Sequence, residues 1–186
     1  MSAIALILLA VIAVFYMIYV SLIRKKNKVK EASSGIDVQL KKRYDTIPNL
    51  LTSAAKYMSF EEKLLEEITQ LRTQAMENSF LKNPQESVKL ENKLSAKLKE
   101  FTVSVENYPD LKSSQPLMQA MAALSDVEEN IAAARRFYNA AVYDLNNAVE
   151  IFPSNLVANM LHIKQSVFFE TSEEEKKAIN AGDYLK

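Results

Sequence analysis

Residues 117–148 read LMQAMAALSDVEENIAAARRFYNAAVYDLNNA, and the repeat within them sets the fold class. Large apolar side chains recur every seven residues, and mostly alanine fills the positions between them. The first set is Leu117, Leu124, Ile131, Tyr138, Leu145 and Phe152, and the second is Ala120, Val127, Ala134, Ala141 and Ala148. This pattern predicts a long helix that packs along other helices, as in a bundle or a coiled coil. Packing accounts for the pattern fully, so we assign no cofactor to it.

A helix is also predicted N-terminal to this one. It continues from the apolar residues at the start of the chain, and between residues 36 and 58 its apolar residues recur at helical spacing. These residues are Ile36, Leu40, Tyr44, Ile47, Leu51, Ala54 and Met58. Pro48 lies inside the pattern and has no backbone N–H, so we expect a kink or a local break near Tyr44.

Start and stop signals divide the rest of the chain into further helices. The start signals are Ser59 with Glu62 as a capping box, Asn83 before Pro84, and Ser154 after Phe152–Pro153. One of these helices is expected to end at Tyr108–Pro109–Asp110. The chain has only two Gly, which disfavours strands joined by tight turns.

Residues 2–23, SAIALILLAVIAVFYMIYVSLI, contain no charge, no Pro and no Gly. At about 1.5 Å per residue they form a helix of roughly 33 Å, long enough to cross the hydrocarbon core of a membrane. Met1-Ser2-Ala3 carries no basic residue, unlike the start of a cleaved signal peptide. We therefore expect residues 1–23 to be an uncleaved transmembrane anchor rather than a signal peptide or a buried core helix.

Residues 24–30, RKKNKVK, place five basic side chains directly after the apolar run, whereas none precedes it. The positive-inside rule then places the N-terminus outside and the remaining chain in the cytoplasm. The basic side chains are also expected to attract anionic lipid headgroups. They are Arg24, Lys25, Lys26, Lys28 and Lys30.

The charge beyond this basic segment is acidic. Residues 31–186 carry 18 basic and 23 acidic side chains, because five of the chain's 23 basic residues lie at 24–30. Nucleic-acid binding needs a positive surface, so we expect no nucleic-acid partner. The absence of cysteine excludes a disulfide framework and a thiolate site.

The predicted fold class is all-α, with a transmembrane helix followed by an antiparallel bundle of long helices that resembles a four-helix bundle. Residues 31–170 are long enough for one domain with its own core. Residues 171–186 are expected to be a polar, mobile tail.

No arrangement of residues indicates catalysis, and we predict no catalytic residue, no cofactor and no metal site. His162 is the single histidine, and its apolar neighbours indicate a packing role. No two Gly are close enough for a phosphate-binding loop. Acidic pairs are typical of solvated helix faces, although they could bind a hard cation; they are Glu61–Glu62, Glu66–Glu67 and Glu128–Glu129.

Two polar sets lie beside the apolar stripes of the long helices. One is Asp37, Arg43, Asp45 and Asn49, and the other is Arg135, Asn139 and Asn146. Side chains of this kind need partners if they are buried. We predict that the second set pairs with Asp37 or Asp45 and so sets which helices pack together. The alternative is that both sets are exposed, where they would form a partner surface.

The same residues belong to a pattern that closely resembles the LemA family. It consists of IDVQLKKRYDTIPNL at 36–50, YPDLK at 108–112, ARRFYN at 134–139, Asn146, Phe152–Pro153 and Phe169–Glu170. The chain departs from the pattern at Ser33–Ser34–Gly35, Leu145 and Met160–Leu161. The resemblance implies a bacterial, membrane-anchored helical bundle without an established enzymatic activity, and some relatives are associated with magnetosome membranes.

The function expected from these observations is a non-enzymatic scaffold or interaction protein of the bacterial inner membrane, with a protein partner of unknown identity. One alternative is a membrane-organising protein that self-associates into homo-oligomers. The other is a metal-dependent enzyme, which would need inward-facing carboxylates around a pocket.

Overall fold

The computed structural model of the protein describes residues 3–55, 58 and 61–169. The helices are α1 (Ala3–Ala55), α2 (Glu62–Glu77), α3 (Pro84–Val105), α4 (Pro109–Lys112), α5 (Gln115–Glu150) and α6 (Ser154–Met160). No strand occurs in these parts of the chain, which confirms the all-α prediction. Helix α4 is a single short turn that the sequence did not predict.

Helices α1 and α5 form the principal contact of the bundle. They run antiparallel, since Lys28 pairs with Asp144 at one end and Arg43 pairs with Glu128 further along. The predicted seam of α5 faces this contact. Its buried members are Leu117, Ala120, Leu124, Ile131, Tyr138, Ala141 and Leu145. Phe152 does not belong to the seam, because α5 ends at Glu150 and leaves this ring exposed.

Helices α2 and α3 complete the bundle with an up-and-down path. Helix α2 packs on α1 and on α3, and Lys97 bridges α3 to Glu67 of α2 at 2.7 Å. The loop before α3 uses the predicted cap, since the side chain of Asn83 accepts a hydrogen bond from the backbone N–H of Glu86. Pro84 is the first residue of α3, as predicted.

Helix α1 joins the apolar N-terminal run to the bundle without interruption. Its 53 residues span roughly 80 Å. Among the described residues it is the one helix long and apolar enough to cross a membrane, with a mean hydropathy of 2.8 in its most apolar window. No residue of that window is buried, whereas Leu22 is fully buried.

Helix α1 also continues through Pro48, which contradicts the local break, one of the two predicted outcomes. In a regular helix the N–H of residue 48 would bond to the carbonyl oxygen of Tyr44. Proline has no N–H, so that carbonyl lacks its helical partner. Arg72 of α2 supplies the missing donor, since its Nε lies 2.6 Å from the Tyr44 oxygen. The proline thus creates an acceptor that ties α2 to α1.

Of three smaller expectations, one is wrong and two depend on residues outside the described part of the chain. Ser59 lies outside the described residues, and α2 begins at Glu62 with no side-chain cap. Ser154 does not cap α6, because its hydroxyl donates to the carbonyl of Ile151. The predicted tail at 171–186 lies outside the described residues.

His162 is exposed, so its predicted packing role is wrong. It has a φ of 52° and is the left-handed residue that ends α6. The N–H of His162 donates to Asn159, and the N–H of Ile163 donates to Ala158. These two bonds form a Schellman motif, in which glycine usually holds the left-handed position.

We predict that Arg72→Ala destabilises the protein by roughly 1.5–3 kcal/mol, because the Tyr44 carbonyl then has no donor. Pro48→Ala restores a backbone N–H at that carbonyl. The cost of Arg72→Ala should therefore be clearly smaller when Pro48→Ala is also present. Denaturant unfolding of the four proteins of this cycle measures the coupling. Equal costs in both backgrounds would contradict the pairing.

Candidate functional site

Opposite charges occupy core positions on two helices of the bundle. The buried stripe of α1 is Ile36, Leu40, Arg43, Ile47, Leu50 and Ala54, and that of α3 is Ser87, Glu91, Leu94, Leu98, Phe101 and Val105. Both stripes repeat at alternating spacings of four and three, which is the spacing of a helix seam. Arg43 and Glu91 hold such positions, and each side chain is 1% exposed.

Arg43 contacts both α3 and α5. Its Nη1 lies 2.8 Å from Oε2 of Glu91, and its Nη2 donates to Oγ of Ser95 at 2.7 Å. Its Nε lies 2.8 Å from Oε1 of Glu128, a side chain that is 39% exposed. The hydroxyl of Tyr44 donates to Oε1 of Glu91. We call these five residues the buried ion cluster.

The cluster is a structural arrangement rather than a reactive one. Burial raises the pKa of Tyr44 well above its ordinary value, and the charge and hydrogen bond of Glu91 raise it further. Tyr44 therefore remains a neutral donor at physiological pH. Both terminal nitrogens of Arg43 donate hydrogen bonds and its Nε forms an ion pair with Glu128, so the cluster joins α1, α3 and α5 more readily than it could bind a ligand.

A cavity of about 470 Å³ lies beside the cluster and is bounded by side chains of α1, α3 and α5. Arg43, Ser95 and Glu128 are among its polar lining residues, and Leu98, Met121 and Leu124 are among its apolar ones. Within the described residues, no group of three or more His, Asp or Glu side chains could hold a metal ion.

The second polar set binds an extended segment that follows α6. Asn146 accepts from the N–H of Ser166 at 2.8 Å and donates to the carbonyl of Ser166 at 3.0 Å. Asn139 makes the same pair of bonds with Phe169, at 2.8 and 3.0 Å. Between them the Tyr138 hydroxyl donates to the carbonyl of Val167 at 2.7 Å. We call Tyr138, Asn139 and Asn146 the asparagine clasp.

The spacing of the clasp follows from the two backbone geometries. Asn139 and Asn146 are seven residues apart on α5, which is roughly 10.5 Å along a helix. Ser166 and Phe169 are three residues apart in an extended segment, which is roughly 10 Å. Each side-chain amide can therefore satisfy both backbone groups of one residue, as a neighbouring strand would.

The ring of Phe169 anchors the end of this segment. It stacks on Phe80 of the α2–α3 loop with centroids 5.1 Å apart, and Phe80 meets Tyr138 edge-on at 4.9 Å. The guanidinium of Arg135 lies 4.4 Å from the centroid of Phe169. Apolar burial and a cation–π contact thus hold the segment where the clasp binds its backbone.

The structure gives the two asparagines of the second polar set other partners than the carboxylates of α1. The predicted pairing of Asn139 and Asn146 with Asp37 or Asp45 is wrong, because both asparagines bind the extended segment. Asp37 instead accepts from the Ser79 hydroxyl at 2.9 Å and from the N–H of Phe80 at 2.8 Å, in the α2–α3 loop.

Asp45 and Asn49 remain exposed. They line a groove of about 520 Å³ between α1 and the N-terminal part of α5. Of the seven predicted residues, these two therefore remain available for a partner.

Sequence reasoning missed Glu91, Ser95 and Glu128. A signal for Glu91 existed, because it lies on the apolar stripe of α3, where a charge needs a buried counter-charge. Arg43 lies in the same way on the stripe of α1. No comparable signal marks Glu128, which reaches Arg43 from the edge of α5.

Comparison with known proteins identifies a family and a relative of the chain. The sequence model of the LemA family matches residues 32–181 of the chain. Protein LemA of Metamycoplasma hominis is 29% identical over 176 residues, which cover 92% of this chain and 80% of that protein.

We predict that Arg43→Leu destabilises the bundle by roughly 3–5 kcal/mol, because it leaves the Glu91 carboxylate buried without its cation. Glu128→Ala should cost far less, about 1 kcal/mol, since this partner is partly solvated. Adding Glu91→Leu to Arg43→Leu should recover most of the loss. Urea unfolding measures these differences. A double variant no more stable than Arg43→Leu would argue against a buried pair.

We also predict that the clasp determines amide exchange in the extended segment. Asn146→Ala should speed exchange at Ser166, and Asn139→Ala should speed it at Phe169, with a loss of roughly 1–3 kcal/mol for each variant. Asn130→Ala is the control, because this exposed side chain bonds to the backbone carbonyl of Asp126, one turn earlier in α5. Hydrogen exchange read by NMR checks the result. Unchanged rates at both amides would contradict the clasp.

Proposed function

The chain belongs to the LemA family, and from this premise we propose a non-enzymatic, membrane-anchored helical scaffold of the bacterial inner membrane. In this proposal α1 crosses the membrane once. Its continuation carries a bundle that presents a surface to a protein partner.

The continuity of α1 is the observation that supports the proposal most strongly. Its N-terminal part exposes large apolar side chains on all sides, from Ile4 to Met17. A soluble surface rarely exposes a contiguous apolar patch of that size, whereas a membrane span does so by necessity. Because the same helix forms the bundle core, movement of the bundle is coupled rigidly to the span.

The basic segment at 24–30 supports a cytoplasmic bundle, with the N-terminus outside. Arg24, Lys26 and Lys28 are exposed on α1 next to the apolar run, where they can contact anionic headgroups.

The partner surface proposed here is the groove that contains Asp45 and Asn49, which we call the distal groove. It lies at the end of the bundle farthest from the apolar run. Thr52, Ser53, Gln119 and Ala123 also line it. These polar side chains take little part in internal bonding. Covering or replacing them should therefore lower the stability of the bundle less than a change in the buried ion cluster would. The distal groove is therefore better suited to binding than the interior polar residues are.

A topology experiment tests the anchor. The chain has no cysteine, so Ser2→Cys and Glu129→Cys are clean single probes. A membrane-impermeant maleimide should label Ser2→Cys in intact cells and Glu129→Cys only after permeabilisation. Labelling of Glu129→Cys in intact cells would contradict the orientation. Release of the protein by alkaline carbonate would contradict the span itself.

The same approach tests the scaffold role. Asn49→Cys, treated in cells with a permeant cysteine-directed crosslinker, should form a discrete adduct that Glu129→Cys does not form. An adduct with twice the protein's mass would favour the self-associating alternative. Failure of Asn49→Cys to form any adduct above the Glu129→Cys control would count against the distal groove.

A further inference from the structure

We propose that α6 and the turn before it form a second membrane-contacting surface, which inserts at the boundary between lipid headgroups and acyl chains. This inference rests on the proposed membrane span of α1, since it concerns the same bilayer. We call the exposed side chains of Ile151, Phe152, Leu156 and Met160 the α6 apolar patch.

The register of α1 and α5 determines the height of this patch. Lys28 pairs with Asp144, and the two helices are antiparallel. Continuing the same register brings Glu150, the end of α5, level with about Leu22 of α1. Helix α6 follows directly and packs against both α1 and α5. The patch is therefore held beside the last apolar residues before Arg24.

The outward face of α6 exposes large apolar side chains, which is unfavourable in water. Phe152 is 73% exposed and Met160 is 67% exposed. Leu156 and Met160 lie one turn apart and so share a face, which is largely exposed. Val157 and Ala158 are buried on the other side, against the bundle. Large apolar side chains therefore occur on both faces of α6, and on the outward face they lie beside the exposed Asn159.

The surroundings of the patch identify a lipid surface as its occupant. Along the axis of α1, the patch lies next to the exposed apolar side chains that would be within the hydrocarbon core. The exposed basic side chains of Arg24, Lys26 and Lys28 lie at the same end of the bundle. Apolar side chains next to a basic cluster are typical of segments that lie in a membrane interface. A second copy of the chain would explain the apolar side chains but not the adjacent basic ones.

Spin-label accessibility in the full-length protein tests this inference. Met160→Cys and Met118→Cys are matched single probes, since both methionines are exposed on helices and Met118 is at the distal end of α5. Leu9→Cys is the probe for the span. The labelled proteins are reconstituted into liposomes of phosphatidylcholine and phosphatidylglycerol. Leu156→Cys replaces Met160→Cys if that variant does not fold, as judged by circular dichroism.

The expected result is that oxygen reaches the label at residue 160 more readily than a water-soluble nickel complex does, as at residue 9, while residue 118 shows the reverse. If residue 9 behaves as lipid-exposed but residue 160 matches residue 118, the inference is wrong and the span stands. If residue 9 is water-exposed, the proposed membrane anchor itself fails. Dipolar broadening between labels at residue 160, with both reagents excluded, would assign the patch to a second copy and overturn the inference.

Discussion

The antiparallel packing of α5 along α1 is the contact on which the other features of this protein depend. It buries an apolar seam on α5 that begins at Leu117 and ends at Leu145. Both helices are longer than α2 and α3, so they extend together beyond the main bundle toward the apolar end of α1. Along that extension α6 and the segment at 163–169 take the place of α2 and α3. The register of one helix pair thus determines where the bundle ends and how close to the apolar run its final elements lie.

Buried charge adds specificity to this apolar contact. Leucine and alanine seams tolerate alternative registers, because their packing energy changes little with a shift of one repeat. The ion pair of Arg43 and Glu91 does not tolerate them, since any shift would bury both charges unpaired. Glu128 binds the same guanidinium from α5, so a single arginine aligns three helices. The cost of burying these groups is offset by the hydrogen bonds of Arg43 to Glu91 and Ser95 and by its ion pair with Glu128.

Side chains also replace absent backbone partners at two places in the molecule. Arg72 bonds to the carbonyl that Pro48 leaves without a helical donor. The asparagine clasp bonds to backbone groups of an extended segment that has no neighbouring strand among the described residues. In both cases the requirement that buried backbone groups be paired is met across elements rather than within one. Such bonds hold weakly structured segments against the long helices, and they explain why polar residues recur beside the apolar stripes.

The sequence by itself determined the all-α class, the long seam of α5, the start of α3 at Pro84 and the apolar run that precedes Arg24. These features follow from local periodicity and from backbone chemistry, which a single segment carries within itself. Only the tertiary structure decided the partners of the polar residues. Asp37 and Asn139 both needed partners by their chemistry, yet each binds a loop or an extended segment that has no periodic signal of its own. The choice of Glu91 for Arg43, and of Arg72 for the Tyr44 carbonyl, likewise depends on how far each helix is shifted along its neighbour. That shift is a property of helix pairs, and the pattern of one helix leaves it open.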